Sequence, residues 1–167
     1  MRAEVARFDA AVDRLMDRVR GPELDAVAYR LSSAADHSLL WHFCGAATAL
    51  ARGGDVQWEA RFAAAMGAES LITNGVLKTV FGRVRPVEYR DIEWRYGMHR
   101  PITSSFPSGH ATAAFCAATL LGGGPWYALA GAVATTRVYV RLHHASDVAA
   151  GAAIGLGLGM AFRRFVR

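Results

Sequence analysis

Five apolar stretches rich in alanine and glycine, separated by short polar clusters, leave this chain little choice but a bundle of helices. They run from Leu39 to Leu50, Ala60 to Phe81, His110 to Leu121, Trp126 to Val140 and Val148 to Phe162. Helical periodicity and composition predict an all-α fold, a helical bundle of about five apolar helices. At 167 residues a single domain is expected, with an N-terminal arm over residues 1–36 and the bundle over 37–167.

The arm reads as amphipathic. Val5, Phe8, Val12, Leu15, Met16 and Val19 recur at mostly three- and four-residue steps between Arg2 and Arg20, with Arg and Asp between them. Gly21-Pro22 ends this helix, and a second short helical segment runs from Leu24 to Leu31. Such an arm either lies on a membrane surface or covers the bundle. The first residues lack the pattern of a secretory leader, so any membrane insertion is expected to use internal segments.

Hydropathy places the chain between soluble helical proteins and multi-pass membrane proteins, since 53% of residues are hydrophobic and the mean hydropathy is only slightly positive. A bilayer crossing needs about 20 mainly apolar residues, and several of the stretches are shorter. The last one, however, carries Gly151, Gly155, Gly157 and Gly159, a small-residue spacing that permits close helix contact in lipid. The net charge of +5 comes almost wholly from arginine, Lys78 being the sole lysine. No nucleic-acid-binding signature accompanies that charge, so nucleic acid is not an expected partner. Cys44 and Cys116 fall inside apolar segments without metal-ligand spacing and read as small buried hydrophobes.

Three polar clusters carry the chemistry: Lys78-x6-Arg85-Pro86, Pro107-Ser108-Gly109-His110, and Arg137-x5-His143-x3-Asp147. A phosphoryl group in flight spreads negative charge over its equatorial oxygens, so fixed cations and N–H donors are what its transfer requires. Lys78, Arg85 and Arg137 meet that requirement. Ser108 is suited to cap the helix that begins after it, whose free N–H groups form an anion site, and its hydroxyl is available to donate to phosphate. Gly109 lets the backbone come close to the anion. His143 and Asp147 are four apart and share a face if helical, so the carboxylate can hold one ring nitrogen and leave the other free to attack.

These three clusters resemble the signature of the type 2 phosphatidic acid phosphatase family, which shares its fold and anion site with vanadium-dependent haloperoxidases. The first two match in full; in the third, Thr136 stands where serine is usual and keeps the hydroxyl. The resemblance implies a metal-independent, cofactor-free hydrolase in which His143 is the nucleophile that forms a phosphohistidine and Asp147 orients it. It implies His110 as acid and base, with Lys78, Arg85, Ser108, Gly109 and Arg137 binding phosphate. His144, beside the nucleophile, is the rival for its role, and the family spacing selects His143. The implied substrate is a lipid phosphate or diphosphate: polyprenyl, phosphatidate-like or a lipid-linked sugar phosphate. Haloperoxidase-like chemistry, hydrolysis of a soluble phosphate and a non-catalytic lipid-binding role are the alternatives.

Membrane embedding is implied by the same resemblance. Alternating helix directions bring the three clusters to one end of the bundle and put Arg52, the Gly122-Gly123-Gly124 turn and the Arg163-Arg164-x2-Arg167 tail at the other. A basic tail favours the cytoplasmic side, so a multi-pass protein of the cell membrane with an outward-facing site is expected. His37 and His42 lie outside the clusters and read as structural or interfacial. Trp94, Tyr96 and His99, between the first two clusters, are candidates for contact with lipid or substrate.

Overall fold

The computed structural model describes residues 2–86 and 101–167. Within them the chain is helical: α1 (Arg2–Arg18), α2 (Pro22–Ala34), α3 (Leu39–Ala51), α4 (Val56–Ser70), α5 (Gly109–Leu120), α6 (Pro125–Tyr139) and α7 (Ala145–Val166). The positions of Trp94, Tyr96 and His99 lie outside the described residues.

Local chemistry sets these boundaries. Pro22 opens α2 at a position where its missing N–H costs nothing. Asp55 caps α4 by accepting from the Trp58 N–H at 2.9 Å. Gly122, Gly123 and Gly124 all adopt positive φ, which lets the chain reverse between α5 and α6. After Ser70 the fourth helix loosens into a π-helical stretch, Leu71–Leu77, and closes with one α turn, Lys78–Val80.

The centre of the bundle is α5, whose Ala111, Ala113, Ala114, Cys116, Ala117 and Ala118 are all buried. Its main neighbour is α7, with α6 and α4 on its other sides. Small residues make the α5–α7 contact: a Cβ on Gly151 would lie 2.6 Å from the Ser108 carbonyl oxygen, one on Gly159 2.6 Å from Thr119 Cβ, and one on Gly155 would run into the Thr112 carbonyl. Gly157, grouped with these in the sequence, faces open space. Larger side chains fill the space between α3, α4 and α5: Trp41, Trp58, Phe62 and Met66 are all buried. Cys116 is fully buried, whereas Cys44 is only partly so.

The arm covers the bundle, packing α1 on α6 and α7. Its inward edge is acidic: Asp9 is buried, and Asp13 and Asp17 pair with Arg141. Val5, Phe8, Leu15 and Val19 remain exposed. Among the described residues one helix, α7, is long and apolar enough to cross a membrane.

Candidate active site

A cavity of about 660 Å³ opens at one end of the bundle, and its wall carries Lys78, Arg85, Gly109, His110, Arg137 and His143. Ser108 and Asp147 are fully buried, linked to each other by a backbone hydrogen bond from the Ser108 N–H to the Asp147 carbonyl at 3.1 Å. Residues from three separated clusters thus meet across the ends of α4, α5 and α6 and the turn into α7. The far end of the bundle gathers Arg52, Arg163 and Arg167 around a second, smaller cavity.

Each cation arrives by a different local device. The π-helical stretch ahead of Lys78 adds residues per turn and so rotates the last turn of the helix; Asn74 and Lys78 both reach the cavity. A Cβ on Gly109 would meet Asn74 Oδ1 at 3.0 Å and Lys78 Nζ at 3.5 Å, so glycine leaves room there for the ends of those two side chains. The helix that carries Lys78 ends at Val80, and the backbone turns extended at Phe81. Arg85 reaches across the cavity mouth, donating from Nη1 to the Leu142 carbonyl at 2.6 Å and from Nη2 to the Ser104 carbonyl at 3.2 Å. Arg137, in the last turn of α6, is 2% exposed and donates from Nη1 to Ser32 Oγ. Its Nε is buried with no partner among the described residues. Buried donors normally find acceptors, so this guanidinium is set to receive an anion from the cavity.

His143 sits in the turn before α7 rather than on the helix, close behind Arg141, which is in a left-handed conformation (φ 57°). Its Nδ1 lies 2.7 Å from the Ser105 carbonyl oxygen. A carbonyl only accepts, so Nδ1 carries the proton and the lone pair is left on Nε2. Arg85 Nη1 stands 3.3 Å from that Nε2. Burial, with the Arg137 and Arg85 charges, pushes the His143 imidazole down to about 3, against the opposing pull of the nearby Asp147 carboxylate.

Two sequence expectations change here. Asp147 Oδ2 is 3.8 Å from His143 Nδ1, beyond a direct hydrogen bond, so the Ser105 carbonyl is the group that fixes the tautomer. The carboxylate is occupied otherwise: Oδ2 accepts from the His144 N–H at 2.9 Å as half of a capping box that starts α7, and Oδ1 accepts from Arg83 at 2.6 Å. The second change concerns Ser108, whose hydroxyl accepts from the Ala111 N–H at 3.4 Å as the α5 cap and does not line the cavity.

His110 Nε2 lies 2.9 Å from Asp36 Oδ1, and the same oxygen is 3.9 Å from Arg137 Nη1. Asp36 opens a tight 3₁₀ turn, Asp36–Ser38, in which His37 (φ 52°) and Ser38 (φ 60°) are both left-handed. Such conformations cost non-glycine residues energy and persist where packing imposes them. His37 and His42, read from sequence as structural or interfacial, both line the cavity. His144, the rival nucleophile, has its ring engaged in the α7 cap and in a 3.2 Å contact with the Val84 carbonyl. Asp36, Asn74, Arg83 and the Ser105 carbonyl were not singled out from the sequence. Only Arg83, inside the Lys78-to-Arg85 cluster, had a signal that could have found it.

Comparison with known proteins finds relatives by sequence and by fold. The family model described as PAP2 superfamily matches residues 58–167. Decaprenylphosphoryl-5-phosphoribose phosphatase of Mycobacterium tuberculosis is 33% identical over 164 residues, 95% of this chain and 88% of that protein. Lipid A 1-phosphatase of Porphyromonas gingivalis is 36% identical over 80 residues, which is 40% of this chain and only 18% of that protein. Among solved structures, the transmembrane PAP2 type phosphatidylglycerolphosphate phosphatase from Bacillus subtilis superposes with a TM-score of 0.76 at 24% identity, covering 97% of this chain and 86% of that one. Aquifex aeolicus LpxE superposes with a TM-score of 0.71 at 23% identity, covering 93% of this chain and 94% of that one.

Proposed function

The chain belongs to the PAP2 superfamily, and on that premise we propose that it is a metal-independent phosphatase that hydrolyses a lipid-borne phosphate through a phosphohistidine. The observation that carries the reading is the convergence of Lys78, Arg85 and Arg137 with two imidazoles, His110 and His143, on one cavity.

In this reading the three cations and the N–H groups at the start of α5 hold the phosphate oxygens. The His143 Nε2 lone pair attacks phosphorus, the bond to the leaving oxygen breaks, and His110 gives that oxygen its proton. Water then attacks the phosphorus, the P–N bond breaks, and His110 takes the water's proton, releasing inorganic phosphate. The Nδ1–H, held by Ser105, stays in place throughout, and the Asp147 carboxylate offsets the charge on the phosphorylated ring. Asp36 orients His110.

The substrate class rests on two supports. The Mycobacterium tuberculosis relative is named for a phosphate on a prenyl-linked ribose, and the cavity wall includes Ser33, Ser38, His42, Ser70 and Asn74, polar groups able to bond the hydroxyls of a sugar. We therefore favour a polyprenyl-linked sugar phosphate over a diacyl phosphate. The apolar length of α7 and exposed side chains such as Phe43, Leu50 and Leu71 support embedding in a membrane. The arginines at the far end favour a site that faces outward from the cell membrane.

Phosphate release by purified protein with EDTA present, across diacyl, polyprenyl and polyprenyl-sugar phosphates, tests this reading. Release lost in His143→Ala supports it. Full activity in that variant would move the nucleophile elsewhere, and dependence on added metal would remove the mechanism.

A further inference from the structure

The family match begins at residue 58, yet α1 reaches the back of the site. Asp9 is 4% exposed. Its Oδ1 accepts from the Ser146 N–H at 2.8 Å, and its Oδ2 accepts from the Ser146 hydroxyl at 2.8 Å and from Arg83 Nη2 at 2.6 Å. Arg83 Nη1 in turn donates to Asp147 Oδ1 at 2.6 Å and to Ser146 Oγ at 2.7 Å. An unbroken path therefore runs from Asp9 through Arg83 to Asp147, whose other oxygen stands 3.8 Å from the His143 ring.

We infer that Asp9 and Arg83 are positioning residues for the hydrolysis, holding the Asp147 carboxylate behind the nucleophile and setting how much negative charge it offers. This rests on the reading of His143 as nucleophile. The electrostatic argument is a count of charges. Arg83 alone would form a neutral pair with Asp147, leaving little to stabilise the cationic ring formed when Nε2 takes the phosphoryl group. With Asp9 sharing the guanidinium, two carboxylates face one cation and the set keeps one net negative charge beside His143. Asp9 also ties down Ser146, so the first turn of α7 cannot drift from the Asp147 cap. In α1, Asp9, Asp13 and Asp17 share one edge at four-residue spacing. The last two bind Arg141, which precedes the His143 turn.

The test uses the full chain in detergent, with dioctanoyl phosphatidate and a short polyprenyl phosphate as probes and rapid-quench detection of the phosphoenzyme. Asp9→Asn should slow phosphoenzyme formation by about tenfold, the rate equivalent of one charge-assisted hydrogen bond. KM should be unchanged, and Asp9→Glu should recover much of the loss. In a double-mutant cycle, adding Asp9→Asn to Asp147→Asn should cost little more, because the path then has no end. A role confined to anchoring α1 would give multiplicative losses and a lower melting temperature instead. Wild-type phosphoenzyme formation in Asp9→Asn, or multiplicative losses in the cycle, would overturn the inference while leaving the phosphatase reading intact. A wild-type protein that forms no phosphoenzyme with either probe, or a fully active His143→Ala variant, would overturn both.

Discussion

Asp36 Oδ1 and His110 Nε2 lie 2.9 Å apart although 74 residues separate them in the chain. The contact joins a strained turn between α2 and α3 to the first turn of α5. If the carboxylate holds Nε2 as N–H, Nδ1 is the nitrogen left to exchange a proton with the leaving group.

Asp36→Asn should therefore slow turnover by roughly 10²-fold, the usual scale of a general acid's contribution. The loss should be large for an alkyl phosphate and small for p-nitrophenyl phosphate, whose leaving group departs without a proton. Steady-state kinetics on the two substrates checks this. Equal losses on both would assign Asp36 to the shape of the cavity rather than to proton transfer.

His144→Ala should leave turnover close to wild type while removing about 1 kcal/mol of stability, the cost of a lost helix cap. The ring is engaged in starting α7 and in contact with the Val84 carbonyl, which leaves it no part in attack. Turnover and thermal melting measured together separate the two roles. Loss of turnover without loss of stability would restore His144 as a nucleophile.

Gly155→Ala should destabilise the bundle by about 1–3 kcal/mol, because its new Cβ would collide with the rigid Thr112 carbonyl at the α5–α7 contact. Two residues along, Gly157→Ala should be neutral or stabilising by up to about 1 kcal/mol, since open space surrounds it and alanine favours the helix. Thermal melting of both variants is the comparison to make. Equal effects would mean that α7 sits differently against α5.

Stability should fall on acidification in a window set by His143. Its folded value is about 3 against an ordinary 6.5. Between these the unfolded chain binds a proton that the folded one refuses, so stability rises with pH across the window and is flat with respect to this group above it. His143→Gln should reduce the slope of melting temperature against pH there, the remainder coming from His110, which burial also pushes down. An unchanged slope would show that the imidazole is readily protonated in the folded protein.

The helices were legible from the sequence because their causes are local. Apolar runs, Pro22, Asp55, Ser108 and the Gly122-to-Gly124 turn act within a few residues. The convergence of Lys78, Arg85, His110, Arg137 and His143 could be anticipated because alternating helices return the chain to the same end. The detail of the contacts was less legible. Lys78 and Arg85 are seven residues apart in the chain, yet the backbone turns extended at Phe81 between them and Arg85 is held by the Leu142 carbonyl.

The sequence by itself determined that this chain forms a helical bundle with cations, imidazoles and an N-capped helix gathered at one end, since residue type and spacing along a helix are one-dimensional facts. Only the tertiary structure decided that Ser105 rather than Asp147 fixes the His143 tautomer, that Asp36 meets His110, and that Asp9 shares Arg83 with Asp147. The physical reason is that a hydrogen bond or ion pair depends on separations of tenths of an ångström between atoms far apart in the chain. Those separations are fixed by how whole helices pack, such as α7 drawn against α5 by Gly151, Gly155 and Gly159.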